Sequence, residues 1–358
     1  MPPPRRPPSR EPDPLPRLRG RGALLGLAVG DALGVPLKTR RLVAPGFPKL
    51  ADGLYRSLKG GGSFELRKGQ VGECGQQACV LGVGLRELRR YDAADMLRRY
   101  LAWQEHAAGM SEYTREVVTE LLESGLPRLT ASRRVWMRGF RRMATNGSLA
   151  RTAPLGVFFH KDPQARVQAS LEDSALTHYD PRCQLACAAL NGSIAHALTA
   201  GEKLKREDLI TAAISGLSVA SATLGRLSVE LVQEVSTATT FLKEDLAAAQ
   251  QEDPMLYGPD NHLHLHRNPD HVRVAFRLAY WELLHASSFE EGLVDVINRG
   301  GDADANGAVA GALLGAFHGE EAIPPEWRQG VLESLGGASA GRLGTLWHPR
   351  NLLPLAPE

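Results

Sequence analysis

A chain of 358 residues, 43% of them hydrophobic, holds enough apolar side chain to bury at least one substantial core. Its 42 Lys and Arg against 40 Asp and Glu leave a net charge of +2, which excludes a whole-molecule field that would draw it onto nucleic acid or an anionic membrane. No apolar run approaches the ~18 residues of a membrane-spanning helix, since Gly, Asp or Pro interrupts even residues 23–37.

In chain order, residues 1–19 are rich in Pro and Arg, lack the apolar core of a secretory signal, and read as a disordered leader. From Gly22 onward, apolar residues recur three and four apart, the spacing that turns one helix face to a core. This predicts helices over Arg21–Leu33, Gly75–Arg89, Ala93–Glu105, Tyr113–Glu123, Ala165–Ser174, Pro181–Thr199 and Arg206–Ala220. It predicts four more over Val229–Ala249, Asp270–Ala286, Ser288–Asn298 and Asp304–His318, with almost no strand signal. Glycines 60–62, Asn146-Gly147, Pro254 to Pro259 and Gly300-Gly301 mark loops. One helical domain over residues 20–335 is expected, with 336–358 as a loosely packed tail. Cys74, Cys79, Cys183 and Cys187, in a chain without an export signal, fit buried thiols in a reducing cytoplasm.

Three stretches carry chemistry. In Gly22-Ala-Leu-Leu-Gly-Leu-Ala-Val-Gly-Asp-Ala-Leu-Gly34, small residues at Gly26, Gly30 and Gly34 allow helices to approach closely, and packing alone explains them. In Thr145-Asn-Gly-Ser-Leu-Ala-Arg151, Asn146 and Gly147 suit a tight left-handed turn whose N–H groups, beside Ser148, suit a phosphate. The third is Asn298-Arg-Gly-Gly-Asp-Ala-Asp-Ala-Asn306. Its two glycines permit a sharp turn, after which Asp302 and Asp304 project from a helix start, as caps or as carboxylates sharing a hard divalent cation.

Together, and in this order, these stretches resemble the ADP-ribosylglycohydrolase family, as does Ser174-Ala-Leu-Thr-His178. The resemblance implies an all-α, single-domain orthogonal helical bundle with a central cleft. In active members it also implies a binuclear magnesium site that hydrolyses the bond between ADP-ribose and an acceptor such as arginine or serine. It places Asp31, Lys38, Asn146, Gly147, Ser148 and His178 toward substrate, and Glu73, Asp302 and Asp304 toward metal and catalysis.

The chain departs from that pattern. Where relatives carry Thr-Asp-Asp-Thr-Gln, it has Gly72-Glu-Cys-Gly-Gln76; Ala303 and Ala305 replace two threonines, and Lys38 stands where an acid is usual. Three carboxylates imply one Mg²⁺ ion in place of two, or none. Lys38 either neutralises the carboxylates at a vacated metal position or points to solvent. The expected function is a glycosidic hydrolase acting on ADP-ribose or an ADP-ribosylated acceptor. The alternatives are a silent relative that binds ADP-ribose or a nucleotide as a sensor or partner protein, and a hydrolase with a different glycosidic substrate. Oligomeric state is left open.

Three further features compete for attention. His262, His264 and His266 alternate in a way that puts three imidazoles on one side of an extended segment, for a metal or a substrate, although an exposed polar loop explains them too. Cys74/Cys79 and Cys183/Cys187 share helix faces and read as core thiols. The run Arg133–Arg142 suits a diphosphate or nucleic acid, or simply a solvated helix face.

Overall fold

A computed structural model describes residues 13–42, 49–50, 52–105, 107, 109–124, 128–257, 263–334 and 345–358. Among the described residues there are fifteen α-helices, short 3₁₀ turns and two isolated bridges, and no strand.

Two antiparallel helices form the spine: α1 (Leu15–Gly34) and, near the C-terminus, α14 (Ala303–His318). Their glycines face each other every fourth residue. A Cβ on Gly26 would lie 2.0 Å from the Gly311 oxygen, and one on Gly22 would lie 2.2 Å from that of Gly315. The Gly-x-x-x-Gly spacing therefore serves backbone-to-backbone packing, and it brings the C-terminal end of α1 beside the N-terminal end of α14.

Around this spine pack α2 (Glu73–Leu88), α3 (Ala93–Gln104), α4 (Glu112–Ser124), α5 (Arg128–Arg138), α6 (Gly147–Arg151) and α7 (Ala153–Phe158). The remaining helices are α8 (Pro163–Thr177), α9 (Pro181–Thr199), α10 (Arg206–Leu227), α11 (Val232–Ala248), α12 (Val272–His285), α13 (Phe289–Asn298) and α15 (Pro325–Glu333). Local signals set several starts: Asp92, Asp162 and Ser288 accept the Asp95, Ala165 and Glu291 N–H groups as N-caps of α3, α8 and α13. The α9 helix is buried nearly all round, which accounts for its Ala-, Leu- and Cys-rich composition.

The eleven expected helices are present within a few residues at most ends, and α9 has the predicted limits. Of the other four, α5 overlaps the run Arg133–Arg142, for which a helix face is one reading, and α6, α7 and α15 have no counterpart among the expected helices. Arginines mask the apolar face of α5, where Val135 and Trp136 are buried, and α6 and α7 are too short for a periodic signal. Pro154 sits in the first turn of α7, where its missing N–H costs nothing.

The described residues 13–19 and 345–358 are more ordered than expected. The α1 helix begins at Leu15, inside the expected leader, because the Arg19 guanidinium is buried and donates to the Ala197 (2.8 Å) and Ala200 (2.7 Å) carbonyls at the end of α9. Of the expected tail, the described residues 345–358 are docked: Leu352 and Leu355 are buried against α2 at Gly82. By length and composition α10 is apolar enough to cross a bilayer, contrary to the sequence reading, yet Leu209, Ala213, Leu217, Ala220 and Leu224 are buried in the protein interior.

Candidate active site

The spine sets the site. Past α1 the chain makes a 3₁₀ turn (Val35–Leu37), and Thr39 then takes φ 65°. Across from it Gly300 and Gly301 have φ 70° and 69°, which only glycine adopts freely. The Thr39 N–H donates to the Gly301 carbonyl (2.7 Å), and the Gly301 N–H donates to that of Arg40 (3.0 Å). These two bonds hold Lys38 over the start of α14.

There the Lys38 ammonium donates to both Asp304 oxygens, at 3.0 and 2.8 Å, and lies 3.1 Å from Asp302 Oδ1. Burial works against its charge, but Asp302 and Asp304 outweigh that and hold its pKa well above the ordinary lysine value. Burial pushes the Asp304 carboxyl up to about 6, with Lys38 pulling it down. Of the two positions weighed for Lys38, the inward one is observed.

Asp31 lies beneath and is fully buried. Its carboxylate accepts the N–H groups of Gly72 (3.0 Å) and Gly75, so α1 caps the N-terminus of α2. Burial and the nearby Asp304 charge raise its pKa to about 8, against the pull of those two bonds. Glu73, in the first turn of α2, accepts the Ser111 N–H and hydroxyl and the Gln77 amide. On the far side, residues 144–146 pair with 270–272: the Asn146 N–H donates to the Asp270 carbonyl (2.8 Å), and the Val272 N–H to that of Ala144 (2.8 Å).

These elements enclose a cavity of about 280 Å³ whose walls include Lys38, Glu73, Tyr113, Asn146, Asp270 and Asp302. Gly147 and Cys74 also reach it, and burial pushes the Cys74 thiol well up, which keeps it neutral. Five of the nine predicted site residues, Lys38, Glu73, Asn146, Gly147 and Asp302, thus share one cavity wall, although Glu73 is engaged by Ser111 and not by the aspartates. Ser148, His178 and Asp31 stand behind that wall. The Ser148 hydroxyl meets that of Ser174 (2.9 Å), and His178 is buried against Tyr113 with ring centroids 5.0 Å apart.

Several expectations are corrected here. Asn146 has φ −85° and stands at the N-cap position of α6, so the Asn-Gly pair makes no left-handed turn. Gly147 instead gives the His178 ring room, since a Cβ there would lie a tight 3.0 Å from His178 Nε2. Among the described residues no group of three or more His, Cys, Asp or Glu is placed to hold a metal. Glu73, Asp302 and Asp304 therefore do not fit the expected Mg²⁺ site, because Lys38 lies in the fork between the aspartates.

His262 lies outside the described residues. The His264 ring nitrogen Nδ1 accepts the His266 N–H, and His266 Nε2 meets the Arg299 carbonyl, so these two imidazoles serve the loop. In the run Arg133–Arg142, Arg134 and Arg138 pair with Glu116 and Glu120 on α4, and Arg141 pairs with Glu234. All four cysteines are free and buried.

Sequence reasoning missed Asp270, Ser111 and Tyr113. Asp270 was read as the opening of a helix, since an Asp before an apolar run is the usual cap signature. In the structure His271 takes the cap position, which leaves Asp270 on the cavity. A larger open groove of about 790 Å³, lined by His160, Arg166, His196 and Arg226, runs along α8 to α10, apart from these motifs.

Residues 12–350 match the ADP-ribosylglycohydrolase family. The chain is 24% identical over 316 residues to the ADP-ribosyl-[dinitrogen reductase] glycohydrolase of Rhodospirillum rubrum, covering 86% of this chain and 88% of that one. It is 23% identical over 322 residues to the ADP-ribosylarginine hydrolase Tri1 of Pseudomonas putida, covering 87% and 74%. A solved structure of an ADP-ribosylglycohydrolase-related protein complex superposes with a TM-score of 0.66 and 25% identity, over 96% of this chain and 99% of that chain.

Proposed function

This chain belongs to the ADP-ribosylglycohydrolase family, and on that premise we propose that it hydrolyses the glycosidic bond between ADP-ribose and an acceptor in the cavity bounded by Lys38 and Asp302. One observation carries the reading: the motif residues of three distant stretches, Lys38, Asn146 and Asp302, line one cavity with Glu73 and Asp270.

The chemistry needs a water placed at the anomeric carbon and a base to take its proton as the acceptor leaves from an oxocarbenium-like state. Asp302 is that base: it lines the cavity, and Lys38 fixes its position. The C–O bond to water forms, the bond to the acceptor breaks, and the departing acceptor atom takes up the proton that Asp302 drew from the water. Glu73, Glu112, Asp270 and Asp302 give the cavity an acidic wall, which suits a guanidinium acceptor. An arginine-linked ADP-ribose is therefore the first substrate to try, in keeping with the name of the Pseudomonas putida relative. Four buried free thiols suit a reducing compartment, and the cytoplasm is proposed.

The second reading is a silent binder of ADP-ribose, favoured by the lysine that occupies the carboxylate fork. Release of ADP-ribose from an arginine-linked peptide separates the two. The proposal expects turnover by the wild type and a loss of roughly a hundredfold or more in Asp302→Asn, or about 2.7 kcal/mol of transition-state stabilisation. A wild type that binds ADP-ribose yet releases none from arginine-, serine- or base-linked substrates makes the chain a silent binder.

A further inference from the structure

The four carboxylates nearest the start of α14 and α2, Asp302, Asp304, Asp31 and Glu73, are already engaged. The Lys38 ammonium lies within 3.1 Å of three oxygens of Asp302 and Asp304. Asp31 faces the Gly72 and Gly75 N–H groups, and Glu73 faces Ser111. Cys74 and Ala305, also on the cavity wall, offer a soft sulfur and a methyl group, neither of them a ligand that a hard divalent ion prefers. The lysine is not a loose surface side chain: the paired bonds of Thr39 and Arg40 to Gly301 fix its backbone to the loop that opens α14.

We propose that the Lys38 ammonium is the resident cation of this site, so that the protein holds and acts on its ligand with no divalent metal bound. Two adjoining carboxylates in a buried setting need a counter-charge. The ammonium supplies one positive charge and three donors, and the chain itself delivers it, so it cannot be removed by dilution or chelation. A magnesium ion bridging Asp302 and Asp304 would have to stand ~2.1 Å from their oxygens, in the space the Nζ atom fills. Two cations cannot share that space, so metal entry requires Lys38 to leave.

The metal-binding half of this inference stands alone, whereas the half concerning turnover rests on the proposed function. The test uses the full chain, with Mg²⁺ and Mn²⁺ titrated calorimetrically and the melting temperature followed with each ion and with EDTA, all without nucleotide. The wild type is expected to show no binding heat up to millimolar ion and no shift with either ion or EDTA. In Lys38→Asp the counter-charge is gone and a carboxylate is added, so Mn²⁺ should bind at least tenfold more tightly than to the wild type and should raise the melting temperature. Lys38→Met, which removes the charge without adding an acid, covers the case in which Lys38→Asp does not fold, and it too should gain stabilisation by Mn²⁺.

Metal that co-purifies with the wild type, or a wild-type melting temperature that rises with Mg²⁺ and falls with EDTA, overturns the inference. So does turnover that appears only with added metal. If ADP-ribose binds under no condition, the proposed function fails, and the nucleotide-free titration still decides the role of Lys38.

Discussion

Gly30 and Gly307 meet backbone to backbone, so closely that a Cβ on Gly30 would lie 1.9 Å from the Gly307 carbonyl oxygen. Neither helix can shift alone, because the same contact repeats at Gly26/Gly311 and Gly22/Gly315. Gly30→Ala is therefore expected to cost more than ~3 kcal/mol in a denaturant titration, at the upper end of overpacking penalties. Gly225, with nothing within 4 Å of its Cβ position, provides the control. There Ala should be neutral or should stabilise by up to ~1 kcal/mol. Equal effects at the two sites would remove the close-approach account of α1 and α14.

The guanidinium of Arg151, in the Asn-Gly-Ser segment, is fully buried and pairs with Asp173 (3.1 Å) and Gln77 (2.8 Å), over the Tyr100 ring. Arg151→Met leaves Asp173 without its counter-charge, with only the Tyr100 hydroxyl (3.0 Å) and that of Tyr91 (3.5 Å) donating to it, for an expected loss of about 3 kcal/mol. Arg151→Met combined with Asp173→Leu should recover much of that loss. A single variant within ~1 kcal/mol of wild type in equilibrium unfolding would show that the pair contributes little.

His271 links stability to pH. Burial, with Arg182 and Arg273 nearby, lowers its pKa from 6.5 to about 3. Below pH 6.5 the unfolded chain takes up a proton that the folded chain refuses. The contribution of His271 is thus complete above about pH 6.5 and is lost as pH falls toward 3, by at most ~1.4 kcal/mol per pH unit. His271→Asn keeps an acceptor for the Arg273 N–H at the start of α12. Urea unfolding from pH 7 to 4 should give a shallower slope for this variant than for wild type. Parallel slopes would mean that His271 does not titrate in that window.

Most of the helical scaffold was legible in the sequence because buried helices must present apolar residues at helical spacing, as in α9 and α14. The family motifs were legible as well, but not the duty of each member. Asp31 sits among glycines like a site residue, yet it caps α2 from below, a partnership 41 residues away that no local pattern carries. Ser148 and His178 lie in motif stretches but face Ser174 and Tyr113. Lys38 could be read either way until Gly301 was seen to hold its neighbours. Asp270 looked like a cap, and only the pairing of 144–146 with 270–272 turns it toward the cavity.

The most direct measurement is a crystal structure of Asp302→Asn, slowed in turnover, grown with ADP-ribose at saturating concentration. The account predicts density for the terminal ribose in the cavity of about 280 Å³, beside Asn146 and Tyr113. The anomeric carbon should stand within ~4 Å of the residue 302 side chain, the reach of a positioned water or base. ADP-ribose bound instead in the groove of His160, Arg166 and His196, with the Lys38 cavity free of ligand, would contradict it.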